Sequence, residues 1–226
     1  YKKFDFNITQ STGLKNPSLY ELYGSNGRTD SYKHVANPNA KPEKSLTNEL
    51  SIGYRFSESL YISSTGYRSS ISDALLYNGS YGGGSGYTNA KGDLKQKGLE
   101  TDIVFGNEEQ KFSFYNSISS SKQLNGTRQL RRPDMTYGIK FFKKIYTSEG
   151  SVNLNYDYKH YGKSFDYNPG IKKIDSTDIM NIGISRDYNG MILTYGISNL
   201  LNENYQRPIG YSQEGRTLRL GVKQLF

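Results

Sequence analysis

Few side chains in this chain are equipped for acid–base or nucleophilic work. Cysteine is absent, which removes disulfides, thiolate catalysis and Cys-based metal sites together. The two histidines, His34 and His160, are too few for a histidine metal cluster unless carboxylates complete it. Asp157 stands near His160 and Asp30 near His34, so each pair has the residue types of a general base with an orienting carboxylate. One lone His per segment, with no activated nucleophile beside it, is the pattern of a surface residue. The run Tyr81-Gly82-Gly83-Gly84-Ser85-Gly86 has the glycine density of a phosphate cradle, but no helical pattern follows it and it reads as a flexible loop. No stretch has the oxygen-ligand spacing of a calcium loop, and neither a metal nor another cofactor is expected.

What remains is recognition chemistry. Tyrosine occurs 21 times. Tyr20, Tyr23, Tyr77, Tyr81, Tyr87, Tyr167 and Tyr211, together with Arg131, fall in segments rich in Gly, Pro, Asn and Ser, where aromatic faces and hydrogen-bonding tips suit the capture of a large ligand. Arg131 has a second use, as a partner for a phosphate or for a neighbouring carboxylate.

The elements that must carry these residues are strands. With four Ala, no Trp and 24 Gly the composition does not support a helical bundle, and its aromatic content argues against disorder. Period-two alternation is clearest where Leu46, Leu50, Ile52, Tyr54 and Phe56 oppose Thr47, Glu49, Ser51, Gly53 and Arg55. It recurs often enough to predict ten strands. On the polar faces, Glu49, Arg55, Glu100 and Asp102 would look into an interior.

The connections alternate between long and short. Segments 13–44, 73–92, 122–132, 162–176 and 199–214 are long; 57–59, 106–110, 144–150 and 187–190 are short and turn-forming, as in Ser57-Glu58-Ser59. A soluble sandwich has no reason to place every long loop at one end, whereas antiparallel membrane barrels do so. Mean hydropathy is −0.75 and no apolar run approaches the ~18 residues of a spanning helix, yet alternating membrane strands have low mean hydropathy too. The fold expected is therefore all-β: a transmembrane antiparallel up-and-down β-barrel whose greasy rows face lipid and whose tyrosines collect at the membrane interfaces. The net charge of +8 is spread over 29 cations among 21 anions without a basic block, which argues against nucleic acid as a partner.

Several motifs add a resemblance. Asn199-Leu200-Leu201-Asn202-Glu203-Asn204-Tyr205, then Gly215-Arg216 and an alternating last strand ending in Phe226, resemble the closing strands of TonB-dependent outer-membrane receptors. Pro17-Ser18-Leu19-Tyr20-Glu21-Leu22-Tyr23-Gly24, the stretch from Asn37-Pro38-Asn39 to Ser45, Lys97-Gly98-Leu99-Glu100 and Arg131-Arg132-Pro133 match the same family in order. Leu22-Tyr23-Gly24, Gly66-Tyr67-Arg68 and Gly210-Tyr211 look most like its cobalamin transporter branch; ferric-siderophore receptors share much of the frame.

That resemblance implies a receptor of the Gram-negative outer membrane, not an enzyme. It would import cobalamin or a ferric chelate, embedded in outer-membrane lipid and lipopolysaccharide and energised by TonB through an N-terminal plug domain. Residues 1–226 would form the C-terminal portion, the last ten or so strands of a 22-stranded barrel, without the plug. The residues it places at the substrate are Arg131, Tyr211, Tyr167, Tyr20 and Tyr23. A small outer-membrane barrel hydrolase, protease or phospholipase, is the alternative from another class; it would need one of the His–Asp pairs to be real.

Overall fold

The computed structural model describes residues 3–30, 33–122, 128–167, 170–188 and 190–224, with only the backbone described at Ser80, Tyr81 and Tyr167. Its elements in chain order are β1 (Phe4–Lys15), α1 (Leu19–Tyr23), β2 (His34–Val35), β3 (Glu43–Arg55), β4 (Leu60–Ser72), β5 (Leu75–Tyr81), β6 (Gly84–Asn89) and β7 (Leu94–Gly106). They continue with β8 (Gln110–Lys122), β9 (Met135–Thr147), β10 (Gly150–Tyr161), β11 (Ser164–Tyr167), β12 (Ile171–Ile174), β13 (Thr177–Tyr188), β14 (Met191–Ser198) and β15 (Thr217–Gln224). The aromatic C-terminal residue, Phe226, lies outside the described residues.

Ten strands form one antiparallel sheet in the order β1-β3-β4-β7-β8-β9-β10-β13-β14-β15. Each pairs with its sequence neighbour in that set, an up-and-down meander with β1 and β15 at its edges. The ten strands and their rhythm of long and short links agree with expectation, with ends shifted by a few residues; the first long link, for instance, runs over 16–42. The strands from β1 to β13 in the sheet have 12 or 13 residues. At ~3.3 Å per residue that is ~40 Å, enough to cross a ~30 Å hydrocarbon core at a tilt.

Register sorts the side chains onto two faces. Ile8, Leu50, Gly66, Leu99, Ile118 and Met135 are successive partners across β1, β3, β4, β7, β8 and β9, so they lie in one row on one face. Burial is inverted relative to a water-soluble sheet. In β3 the polar Ser45, Thr47, Glu49 and Ser51 are half-buried, while Leu46, Leu50 and Ile52 are exposed. Phe6, Ile8, Leu218 and Val222 are also wide open, and the only buried hydrophobic side chains among the described residues are Ala74 and Leu75. No second sheet covers the apolar rows. A face this apolar and this uncovered needs a non-aqueous neighbour.

Two expectations change. The glycine-rich run is an ordered hairpin: β5 and β6 turn through Gly82 and Gly83, whose φ values of 59° and 73° suit a primed two-residue turn. The absence of a following helix excluded a phosphate cradle but said nothing against a strand pair. His160 does not meet Asp157, because their odd spacing puts them on opposite faces of β10. Instead His160 Nδ1 lies 2.7 Å from Asp178 Oδ1, its register partner on β13, and the Tyr158 hydroxyl donates to the same oxygen at 2.6 Å.

Candidate ligand-capture site

The long links gather at one end of the sheet in two groups. In the first, links 16–42 and 73–93 interlock. A Ser18-x-x-Glu21 capping box starts α1, with Ser18 Oγ accepting from the Glu21 N–H and Glu21 Oε2 accepting from the Ser18 N–H at 2.6 Å. That backbone contact holds the Glu21 carboxyl below the usual carboxylate range. The Glu21 carbonyl then accepts from the Asn37 N–H, and Asn37 Nδ2 donates to the Tyr87 carbonyl. β2 adds in parallel to β6, with His34 opposite Ser85, completing a small sheet of β2, β6 and β5. His34, only 7 % exposed, stacks on Tyr20 at 4.4 Å between ring centroids and meets the edge of Tyr87 at 5.9 Å.

In the second group, three links are tied to one carboxylate. Asp166, at 1 % exposure, accepts from Arg131 Nε at 2.7 Å and from the Ile209 N–H at 2.9 Å. The Arg131 N–H also donates to the Phe165 carbonyl, and the arginine sits in the left-handed region at φ 63°. Nearby, Arg207 donates to the carbonyls of Gly162 and Asp175 and lies 4.9 Å over the Tyr161 ring. Burial pushes its guanidinium below its ordinary value, though an arginine there still carries its charge.

The base of the last link explains the closing motif. Asn199, 3 % exposed, uses its backbone N–H on Asn181 Oδ1, its side-chain amide on the carbonyls of Glu203 and Glu214, and its Oδ1 on the Glu203 N–H. Asn202 Oδ1 accepts from the Arg216 N–H, and Arg216 Nε donates to the Leu200 carbonyl. These residues brace a loop between two strands.

Between the two groups, at the long-link end of the polar face, lies a cavity of about 430 Å³. Ser69, Ile71, Leu94 and Gln96 of the wall line it, with Leu76 and Tyr77 from one group and Gln129, Leu130 and Arg132 from the other.

Among the expected site residues, Arg131 is fixed on Asp166, and Tyr167 follows that carboxylate on β11, its side chain outside the description. Tyr211 projects from the last link, its N–H on the Pro208 carbonyl. Tyr20 and Tyr23 belong to α1 in the other group, Tyr20 against His34 and Tyr23 open. The structure therefore brings Arg131, Tyr167 and Tyr211 onto linked segments and keeps Tyr20 and Tyr23 with a different pair of links. Arg132 was not singled out. The Arg131-Arg132 pair is visible in the sequence, but which of the two turns to the carboxylate depends on a backbone twist that alternation does not encode. The capping box before Leu19 was readable and marks α1.

The family described as TonB dependent receptor-like, beta-barrel matches residues 6–221. The chain belongs to the TonB-dependent receptor β-barrel family. Solved structures agree on the fold. The siderophore receptor PirA from Acinetobacter baumannii is 15% identical with a TM-score of 0.80, over 100% of this chain and 39% of that one. The ferric enterobactin receptor PfeA from Pseudomonas aeruginosa is 18% identical with a TM-score of 0.78, over 98% and 38%. The FrpB iron transporter from Neisseria meningitidis is 13% identical with a TM-score of 0.76, over 98% and 37%. The chain thus spans less than two-fifths of the length of these receptors. The family and these neighbours are transport receptors, not enzymes.

Proposed function

We propose that this chain forms part of the wall and outer mouth of an outer-membrane receptor of a Gram-negative bacterium that imports a bulky, metal-containing nutrient. The observation that carries this reading is the 430 Å³ cavity at the mouth of the polar face, framed by Tyr77, Gln96, Gln129 and Arg132 beneath two sets of tied links. Aromatic and guanidinium groups on braced loops lose little freedom when a large ligand docks. Transport would be energised by TonB through a plug domain.

For the ligand, an anionic ferric chelate suits the site best. Arg132 offers a forked cation and Tyr77 a hydroxyl to chelate oxygens, and the solved neighbours named above are described as iron and siderophore receptors. Cobalamin is the second reading, favoured by Leu22-Tyr23-Gly24, Asn37-Pro38-Asn39 and Gly210-Tyr211. The test is binding of ferric catecholate chelates and of cyanocobalamin to cells expressing the full-length gene. One of the two should bind, and Arg132→Ala with Tyr77→Ala should weaken it by roughly tenfold or more, as expected for loss of a charge-assisted contact and an aromatic one. Binding of neither ligand refutes the import reading; binding unchanged in the double variant refutes this cavity.

A further inference from the structure

The sheet's apolar face carries a basic patch that the import reading does not use. Its residues belong to the outward rows fixed by register. Arg68 of β4 is the partner of Lys97 on β7, and Lys95 of β7 is the partner of Lys122 on β8. Lys97 pairs on its other side with Ser120, and Lys95 with Ser70. All four cations are exposed, and none has a carboxylate partner among the described residues. Asp93, two residues from Lys95 towards the long links, accepts a hydrogen bond from Ser70.

Two like-charged pairs set directly opposite one another, on adjacent rungs, repel. Such an arrangement is stable only where water or an anion screens it. It also stands at a particular height: Arg68, Lys95, Lys97 and Lys122 are near the long-link ends of their strands, immediately above the apolar row of Leu50, Leu99 and Ile118.

The patch opens into a groove. Arg68, Lys97 and Ser120 border both a basic recess of about 290 Å³ and a furrow of about 780 Å³ that runs down over Ile8, Leu50, Leu99 and Ile118. The furrow exists because Gly66 sits between Leu50 and Leu99 in the row, and a Cβ placed there would meet no atom within 4 Å. A cationic cluster above an apolar channel, facing the bilayer, complements an amphiphile with anionic headgroup and hydrocarbon chain.

We propose that this groove holds a phosphorylated, acylated glycolipid of the outer leaflet, with a phosphate among Arg68, Lys95, Lys97 and Lys122 and an acyl chain lying over Gly66. The inference rests on the outer-membrane placement above. A phosphate takes up the repulsion of both like-charged pairs at once, and the guanidinium of Arg68 offers it a forked contact.

The experiment uses the full-length receptor purified in detergent and measures, by native mass spectrometry, its occupancy with bis-phosphorylated lipid A, dephosphorylated lipid A and phosphatidylglycerol. Wild type should hold lipid A in preference to the other two. Arg68→Gln with Lys97→Gln should cut occupancy by roughly tenfold or more. Gly66→Phe, which fills the furrow and keeps every charge, should cut it as well. Fractionation and heat-modifiability of each variant report membrane insertion separately. If wild type is absent from the outer membrane, the placement fails. If it is inserted but binds phosphatidylglycerol or dephosphorylated lipid A equally well, or if the inserted variants bind lipid A as wild type does, the glycolipid site is refuted while the receptor reading stands.

Discussion

Tyr67 lies across Gly98 on the neighbouring strand, so closely that a Cβ on the glycine would stand 2.6 Å from the ring's Cε1 and 2.7 Å from the Ile118 carbonyl oxygen. The two are register partners on β4 and β7, and the Tyr67 hydroxyl accepts from Gln96 Nε2 at 3.2 Å. Tyr61 covers Gly53 and Tyr115 covers Gly138 in the same way. On the polar face, tyrosine therefore shields strand glycines, a use distinct from the membrane-interface belts that its abundance suggests.

Gly98→Ala tests this packing. Tyr67 can swing aside but the Ile118 carbonyl belongs to the ladder, so the added methyl should cost ~1–3 kcal/mol in urea unfolding of the full-length receptor. Tyr67→Ala alone uncovers the glycine backbone, and in the double variant the two losses should add up to less than their sum because they share one contact. Strict additivity would refute the coupling.

The fold was legible because the period-two pattern and the alternation of long and short links each follow from lipid on one side and a polar interior on the other. Leu46 to Phe56 could sit in no other register without turning charge into the bilayer. The site was less legible. Its wall residues, Ser69 and Gln96 among them, look like any polar strand position, and the loop residues owe their places to tertiary ties. Asp166 reads in sequence as one acid among 21. Only its burial beside Arg131 and the Ile209 amide reveals it as the centre of three links.

The lipid-facing assignment predicts opposite tolerances at adjacent positions. Ile52→Arg would put a charge on the apolar face of β3 and should destabilise the receptor in liposomes by about 2–4 kcal/mol near the bilayer midplane. Ser51→Arg points to the polar interior and should cost under ~1 kcal/mol. Reversed or equal losses in equilibrium unfolding would place the faces the other way round.

Acid should loosen the start of α1. The Glu21 carboxyl is held below its ordinary 4.5 by the Ser18 backbone N–H. A depressed folded value means the contact contributes its full stabilisation above the unfolded pKa and loses it as pH falls through the folded one. Amide exchange at Leu22, whose N–H donates to the Ser18 carbonyl, should therefore speed up below pH 4.5, beyond the intrinsic pH trend. Glu21→Gln should flatten that response. Persistence of the response in the variant would assign it to another group.

The β5–β6 turn gives a prediction about backbone conformation. Gly82 has φ 59°, and a Cβ there would approach Val35 Cγ1 to 2.8 Å, so Gly82→Ala meets both a strained dihedral and a clash with β2. A loss of ~1–2 kcal/mol in the local stability of the small sheet follows. Proteolysis of link 73–93 in intact cells would report it as faster cleavage at unchanged surface abundance. Gly79→Ala, where a Cβ would meet nothing within 4 Å, is the control and should leave cleavage as in wild type.

Arg131 and Asp166 separate bracing from ligand contact. The carboxylate is buried while the arginine side chain remains 63% exposed, so the pair is worth less than a fully buried one. Arg131→Ala should still leave a buried carboxylate short of its counter-charge, at a local cost of ~1–3 kcal/mol. Hydrogen exchange at the Ile209 amide should then accelerate by roughly 10- to 100-fold, and Asp166→Asn should do the same by removing the charge from the other side. Because Ile209 lies in a different link from Arg131, a change there cannot come from the mutated segment alone. Should Arg131→Ala weaken ligand binding while leaving Ile209 protected, the arginine acts on the ligand directly, and the three-link knot does not depend on it.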